Sequence, residues 1–159
     1  MSERFVRTLE LPVPVAILWA FHERPDCFAL LQPPWERAEV ITPPTSLEVG
    51  TRVVLRSRVG PLPVTIEAEH VAYEAGRSFT DTMRRGPFKR WIHEHRCEAI
   101  AGGSRLTDAI TYELPLGPLG ALFGGAMVRR RLDRMFAYRH EVTLKTCLAM
   151  AAAAGHGDP

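Results

Sequence analysis

FKRWIHEHRCEAIAGGSRLTDAITYEL, residues Phe88 to Leu114, is the stretch that decides the fold. Two runs of alternating character flank the pair Gly102-Gly103. In the first, Arg90, Glu94, Arg96 and Glu98 occupy one side and Trp91, His93, His95, Cys97 and Ala99 the other. In the second, Leu106, Asp108, Ile110, Tyr112 and Leu114 share a side. A two-residue period puts alternate side chains on opposite faces of a strand. Two such runs joined by a glycine turn make a hairpin. One face of this hairpin is charged and wet, and the other is apolar with polar intruders.

The pattern continues upstream. Ser78–Arg84 carries Phe79, Asp81 and Met83 on one side, reached from the preceding run through the turn Glu74-Ala75-Gly76-Arg77. Val64–Tyr73 sets Val64, Ile66, Ala68, His70 and Ala72 against Glu67 and Glu69. Thr51–Val59 sets Val53, Leu55, Ser57 and Val59 against Arg52, Arg56 and Arg58, whose arginines are expected to pair across strands with Glu67 and Glu69. Ala38–Ile41 is a short strand, and Arg4–Leu11 is the first. Strands that are apolar on one side only form an antiparallel sheet with one wet face.

Two short helices separate the first strand from the rest. Pro14 opens Val15–His22, and Pro25–Leu31 is stopped by Pro33-Pro34. Downstream, Leu132, Phe136, His140, Leu144, Cys147 and Ala151 recur at helical spacing within a long helix, Leu119–Ala153, with Arg130, Arg131, Arg134 and Lys145 mostly off that stripe. Only this helix is large enough to cover the dry face of the sheet. The expected fold is α+β: a curved antiparallel seven-stranded sheet wrapped around a long C-terminal helix, with two short helices after strand 1. Residues 1–153 form one domain and 154–159 a flexible tail.

Three strings, DTMRRGPFKRWIHEHRCEA (Asp81–Ala99), LTDAITYELPLGPLG (Leu106–Gly120) and VRRRLDRMFAYRH (Val128–His140), together with this element order, resemble the SRPBCC superfamily: the START/Bet v 1-like helix-grip proteins and their polyketide cyclase/dehydrase-like group. The resemblance implies a cavity between sheet and long helix that takes lipids, polyketides or similar molecules. It does not imply one activity, since such folds host carriers, sensors and enzymes alike.

Composition narrows the function further. With 159 residues, 46% hydrophobic and 24% charged, the chain is long enough for a real core. A net charge of +2 makes no case for nucleic acid, and Arg84, Arg85, Lys89 and Arg90, like Arg129, Arg130, Arg131 and Arg134, read as solvated basic surface. Three cysteines without CxxC spacing fit a reducing compartment, and the N-terminus has no secretory pattern, so a cytoplasmic location is expected. Pro115–Val128 is too short and glycine-rich to span a bilayer, and no stable membrane insertion is expected. It reads either as a helix entry packed on the core or as a gate lined by Leu116, Leu119, Leu122 and Phe123.

The intruders on the dry face carry the chemistry. Turn positions set His70 opposite Asp81, Trp91 near Asp81 with His93 diagonal, Cys97 opposite Asp108 with His95 diagonal, and Tyr112 opposite His93. Two groupings follow, His70–Asp81–His93 and His95–Asp108. Four readings remain open. The pairs are a satisfied core network, because an unpartnered buried carboxylate is costly. They are the polar end of a ligand cavity. They hold a histidine general base, as a cyclase or dehydratase would use, with His93, His95, Asp81 and Asp108 the catalytic candidates. Or His93-x-His95 with Asp108 or His70 holds a metal, although the spacing matches no established metal motif. Ligand binding is the leading expectation, by His70, Phe79, Asp81, Met83, Trp91, His93, His95, Asp108, Ile110, Tyr112, Leu132, Phe136 and His140, with no cofactor and no metal. The enzyme, or a non-catalytic interaction module such as a homodimer, stands as the alternative. Trp19 and Trp35 read as core or cavity wall.

Overall fold

Alternation becomes strand wherever the sequence carries it. A computed structural model describes residues 2–36, 38–59, 61–115 and 117–155. In chain order it has β1 (Glu3–Leu11), α1 (Val15–Glu23), α2 (Cys27–Leu30), β2 (Glu39–Thr42), β3 (Arg52–Val59), β4 (Leu62–Glu74), β5 (Ser78–Arg85), β6 (Arg90–Ile100), β7 (Gly103–Glu113) and α3 (Gly117–Gly155). The strands form one seven-stranded sheet, ordered β1-β7-β6-β5-β4-β3-β2, and every neighbouring pair is antiparallel. This is the expected α+β arrangement. The long helix continues through Gly155, two residues past its expected end, and residues 156–159 of the expected tail lie outside the described residues. The side chains of Leu116, Leu119, Leu122 and Phe123, the expected gate, lie outside them too.

Register departs from expectation at two corners, β6–β7 and β5–β6. The β6–β7 turn is Ala101-Gly102 rather than Gly102-Gly103, because Ile100 pairs with Gly103. Gly102 takes φ of +80°, the left-handed conformation that glycine adopts without penalty. Gly103 belongs to the strand, where a Cβ would sit 2.0 Å from the Leu11 carbonyl oxygen. Moving the turn by one residue slides the pairing by two, so the faces are kept but the partners change. His95 is opposite Asp108, Cys97 opposite Leu106, and Tyr112 opposite Trp91. The longer loop before β6 likewise sets His93, not Trp91, directly opposite Asp81. His70 does face Asp81.

The helices cover only half of the sheet. On one half, α1 and α3 pack against β1 and β7 through Leu11, Leu18, Phe21, Leu106 and Cys147, and through Phe5, Ile110, Tyr112, Leu132 and Phe136. Each such fully buried side chain contributes about 1.5–3 kcal/mol, so this half dominates stability. The other half curls away. Register shifts between Glu67 and Ala68 and between His70 and Ala72 place bulges in β4, and bulges bend and twist a strand.

On the wet face, Arg52 does pair with Glu69 (3.2 Å), but Arg56 pairs with Glu39 (3.3 Å), and Glu67 is taken by Arg85 (3.8 Å). β2 lies beside β3 on its outer edge and sets Glu39 directly opposite Arg56, whereas Glu67 is opposite Val54. Trp35 is neither core nor wall: it is 38% exposed, with the Arg134 guanidinium 4.2 Å above its ring. Trp19 is buried in the core. Cys27, Cys97 and Cys147 are all buried and unpaired. No helix among the described residues is long and apolar enough to cross a membrane.

Candidate functional site

Between α3 and the uncovered half of the sheet lies a cavity of about 760 Å³. The alternation that built the strands also builds its wall: Val53, Leu55 and Ser57 from β3, Val64, Ile66, Ala68 and His70 from β4, and Phe79, Asp81 and Met83 from β5. β6 supplies Trp91, His93 and His95. The helix contributes Val128, Leu132, Met135 and Arg139, spaced four, three and four apart, a second stripe beside the core stripe Leu132, Phe136, His140, Thr143 and Cys147.

Of the residues expected to line a ligand site, His70, Phe79, Asp81, Met83, Trp91, His93, His95 and Leu132 reach the cavity. Ile110, Tyr112 and Phe136 do not, because they face the covered half of the sheet and fill the core there. The Tyr112 hydroxyl instead donates to Glu3 (2.9 Å). Asp108 and His140 stand behind the wall, buried.

The two expected Asp/His groupings are one cluster. Asp108 accepts hydrogen bonds from His93 Nε2 (2.9 Å, at Oδ1) and from His140 Nε2 (2.7 Å, at Oδ2). His95 Nδ1 lies 2.8 Å from the same Oδ1, but its direction is wrong for a hydrogen bond, so the contact is electrostatic. Asp81 meets the other edges of the two rings: His93 Nδ1 at 3.5 Å and His95 Nε2 at 3.6 Å. His70, paired with Asp81 across the ladder, completes the row.

Charge is unevenly shared in this cluster. Burial opposes ionisation of Asp108, but His140, His93 and His95 outweigh it and hold the carboxyl well below the usual range. Burial likewise opposes charge on His95, yet its contacts with Asp108 and Asp81 carry its pKa up to about 9. Burial and the neighbouring His95 push His93 down. Since a carboxylate only accepts, His93 donates to Asp108 from Nε2, which leaves Nδ1 as the atom facing Asp81.

Among the wall residues absent from the expected set are three on the helices that carry polar chemistry: His22, Arg131 and Arg139. His22 ends the buried face of α1, four residues after Leu18, whose carbonyl its Nδ1 contacts at 2.9 Å. Its ring faces Phe79 and His95, and burial, then His95, push its pKa down to about 4. Arg139 donates to the Leu31 carbonyl (3.1 Å) at the end of α2 and has no carboxylate partner among the described residues. Arg131 is exposed, as its reading as surface implies, but it also borders the cavity, where it pairs with the partly buried Glu36. The four-three-four spacing through Arg139 was the available signal for the helix residues.

A family model described as polyketide cyclase/dehydrase and lipid transport matches residues 11–137. No curated protein matches the sequence. Among solved structures, a norcoclaurine synthase from Thalictrum flavum, crystallised with a transition-state analogue, is 14% identical with a TM-score of 0.71, covering 94% of this chain and 96% of that one. The Ara h 8.0201 protein is 14% identical with a TM-score of 0.66, covering 94% of this chain and 99% of that one. A nucleoside-diphosphate sugar epimerase from Corynebacterium glutamicum is 25% identical with a TM-score of 0.64, over 89% of this chain but 28% of that one. These likenesses establish the Bet v 1-like helix-grip fold.

Proposed function

We propose a function from one premise: this chain belongs to the polyketide cyclase/dehydrase and lipid transport family. The cavity binds a small amphipathic molecule, with an apolar body against Leu55, Ile66, Met83, Trp91 and Met135 and a polar end at the Asp81–His93–His95 cluster. The observation that carries this reading is the cavity's make-up: about 760 Å³, with a largely apolar sheet wall into which Asp81, His93 and His95 project together, and a second polar group of Glu36, Arg131 and Arg139 on the helix side. Ligand pockets have this size and this sparse placement of polar groups. The Thalictrum flavum enzyme has been crystallised with dopamine and hydroxybenzaldehyde, and an apolar ring bearing a polar oxygen suits the present wall as well.

The test is displacement of a fluorescent apolar probe, anilinonaphthalene sulfonate, from the parent and from Ala68→Trp. Ala68 lines the cavity on β4, and an indole there occupies the volume a ligand needs. Binding at least tenfold weaker in the variant, with an unchanged melting temperature, supports the reading. Equal probe binding by both proteins refutes it.

A cyclase or dehydratase is the second reading, favoured by one observation: His93 stands at the cavity wall with Nε2 held by Asp108 at 2.9 Å, the arrangement that orients a histidine base. On that reading His93→Gln loses turnover and keeps probe binding.

A further inference from the structure

The contacts of Asp81 with the two rings are the wrong length for what they look like. A charge-assisted hydrogen bond between imidazole and carboxylate spans about 2.7–2.9 Å, whereas Asp81 Oδ2 stands 3.5 Å from His93 Nδ1 and 3.6 Å from His95 Nε2. His93 already spends Nε2 on Asp108 (2.9 Å), so Nδ1 is the atom it turns to Asp81. The gap between Asp81 and the two rings is wide enough for a bound cation to bridge.

The distances fit such a cation. Metal–nitrogen and metal–oxygen bonds of about 2.0–2.2 Å at tetrahedral angles put neighbouring ligand atoms about 3.4 Å apart. One ligand atom from each of Asp81, His93 and His95 lies within 4.8 Å of the other two. The scaffold is rigid: His93 and His95 share a face of β6, and Asp81 is directly opposite His93 on β5. Behind them Asp108 accepts from His93 Nε2 (2.9 Å), as the outer-shell carboxylate does that fixes tautomer and orientation in a metal-bound histidine, and lies in electrostatic contact with His95 Nδ1 (2.8 Å). All three inner residues line the cavity, which supplies an access route and leaves one position facing a ligand.

We propose that Asp81, His93 and His95 form a binding site for a divalent first-row transition cation of the zinc type, with Asp108 as the positioning residue behind both imidazoles. Two imidazoles and one carboxylate suit zinc, cobalt or iron(II) rather than calcium or magnesium, which favour all-oxygen sites. The site does not depend on the ligand-binding reading, since the metal is tested alone. It does exclude His93 as a free base, because one lone pair serves one role.

The experiment uses the full, untagged, chelator-treated chain. Co²⁺ is titrated while its visible absorption is followed, and Zn²⁺ is measured by competition with a chromophoric chelator. One equivalent binds, with a Co²⁺ spectrum of low-coordinate nitrogen–oxygen type. Asp81→Asn and His95→Gln each weaken binding at least tenfold. Asp108→Asn weakens it by roughly ten- to a hundredfold, as loss of an outer-shell partner does. Glu94→Gln, on the wet face of β6, leaves it unchanged. Folded parent protein that gives no cobalt spectrum and no zinc competition overturns the proposal, as does one-equivalent binding that survives Asp81→Asn. Should a ligand variant fail to fold, the parent's cobalt titration alone decides.

Discussion

Replacing Asp108 by asparagine tests whether one carboxylate holds the polar cluster together. Asp108 is 2% exposed and accepts from His93 and His140 at 2.9 and 2.7 Å. Hydrogen bonds to a charged group contribute about 1.5–3 kcal/mol each. Asparagine keeps one acceptor oxygen and turns an amide N–H toward the other ring, so one bond is lost and the survivor is neutral. His95, 2.8 Å away, also loses its nearer anion. The net cost is roughly 2–4 kcal/mol. Unfolding entropy near 2.1 cal/mol/K per residue over 159 residues turns this into a melting temperature lower by about 6–12 °C. Circular dichroism melts and urea titrations measure it, with an unchanged urea slope showing that the same surface unfolds. Asp81→Asn is the internal contrast. Asp81 has no imidazole closer than 3.5 Å, so its replacement breaks no short hydrogen bond and is expected to cost less than that of Asp108. An Asp108→Asn protein melting within about 2 °C of the parent, or no more affected than Asp81→Asn, would refute the picture of Asp108 as the shared acceptor.

Acid and base should each destabilise the protein through a different histidine. His22 has its pKa depressed to about 4 in the folded chain, against 6.5 when exposed, so the unfolded chain binds the extra proton first. Stability falls as pH drops from about 6.5 to 4, by roughly 3 kcal/mol, and His22→Phe flattens that limb. His95 is raised to about 9, so its contribution is complete below about 6.5 and is lost as pH rises through 9. The two glycines at the β6–β7 corner are expected to separate as well. Gly102→Ala costs about 1–2 kcal/mol for its left-handed backbone. Gly103→Ala costs more, because its Cβ meets the Leu11 carbonyl at 2.0 Å and β1 must shift. A urea midpoint lower for Gly102→Ala than for Gly103→Ala would contradict this.

Strand identity was legible because a two-residue period survives local detail: Trp91, His93, His95 and Cys97 face inward whatever their partners. Partner identity was not, since it hangs on a single turn residue. Gly102 and Gly103 look alike in sequence, and only the approach of the Leu11 carbonyl assigns one to the turn and the other to the strand. That two-residue slide is why the polar residues read as two pairs and fold as one cluster. The division of the sheet into a packed half and a cavity half was hidden for another reason. The helix carries two overlapping stripes that share Leu132, and hydrophobicity marks only the one ending in Cys147. The other ends in Arg139, whose charge reads as surface until α2 is seen to cap it. Trp35 erred the opposite way: its size suggested burial, while a flanking arginine offered it a surface partner.

The pairing of β1 with β7, running from Glu3 opposite Tyr112 to Leu11 opposite Ser104, has a consequence in time. Strands β2 to β7 each join a sequence neighbour, through connections as short as two residues, and can zip up in order as they leave the ribosome. The first strand has no such neighbour. Closing a loop of about a hundred residues costs roughly 4 kcal/mol by ideal-chain scaling, and contacts this distant slow folding. Until Glu113 has been synthesised, β1 has no edge to join, and until β1 arrives, the completed β7 offers its own open edge to any passing strand. Among the seven strands described, the first made is the last placed.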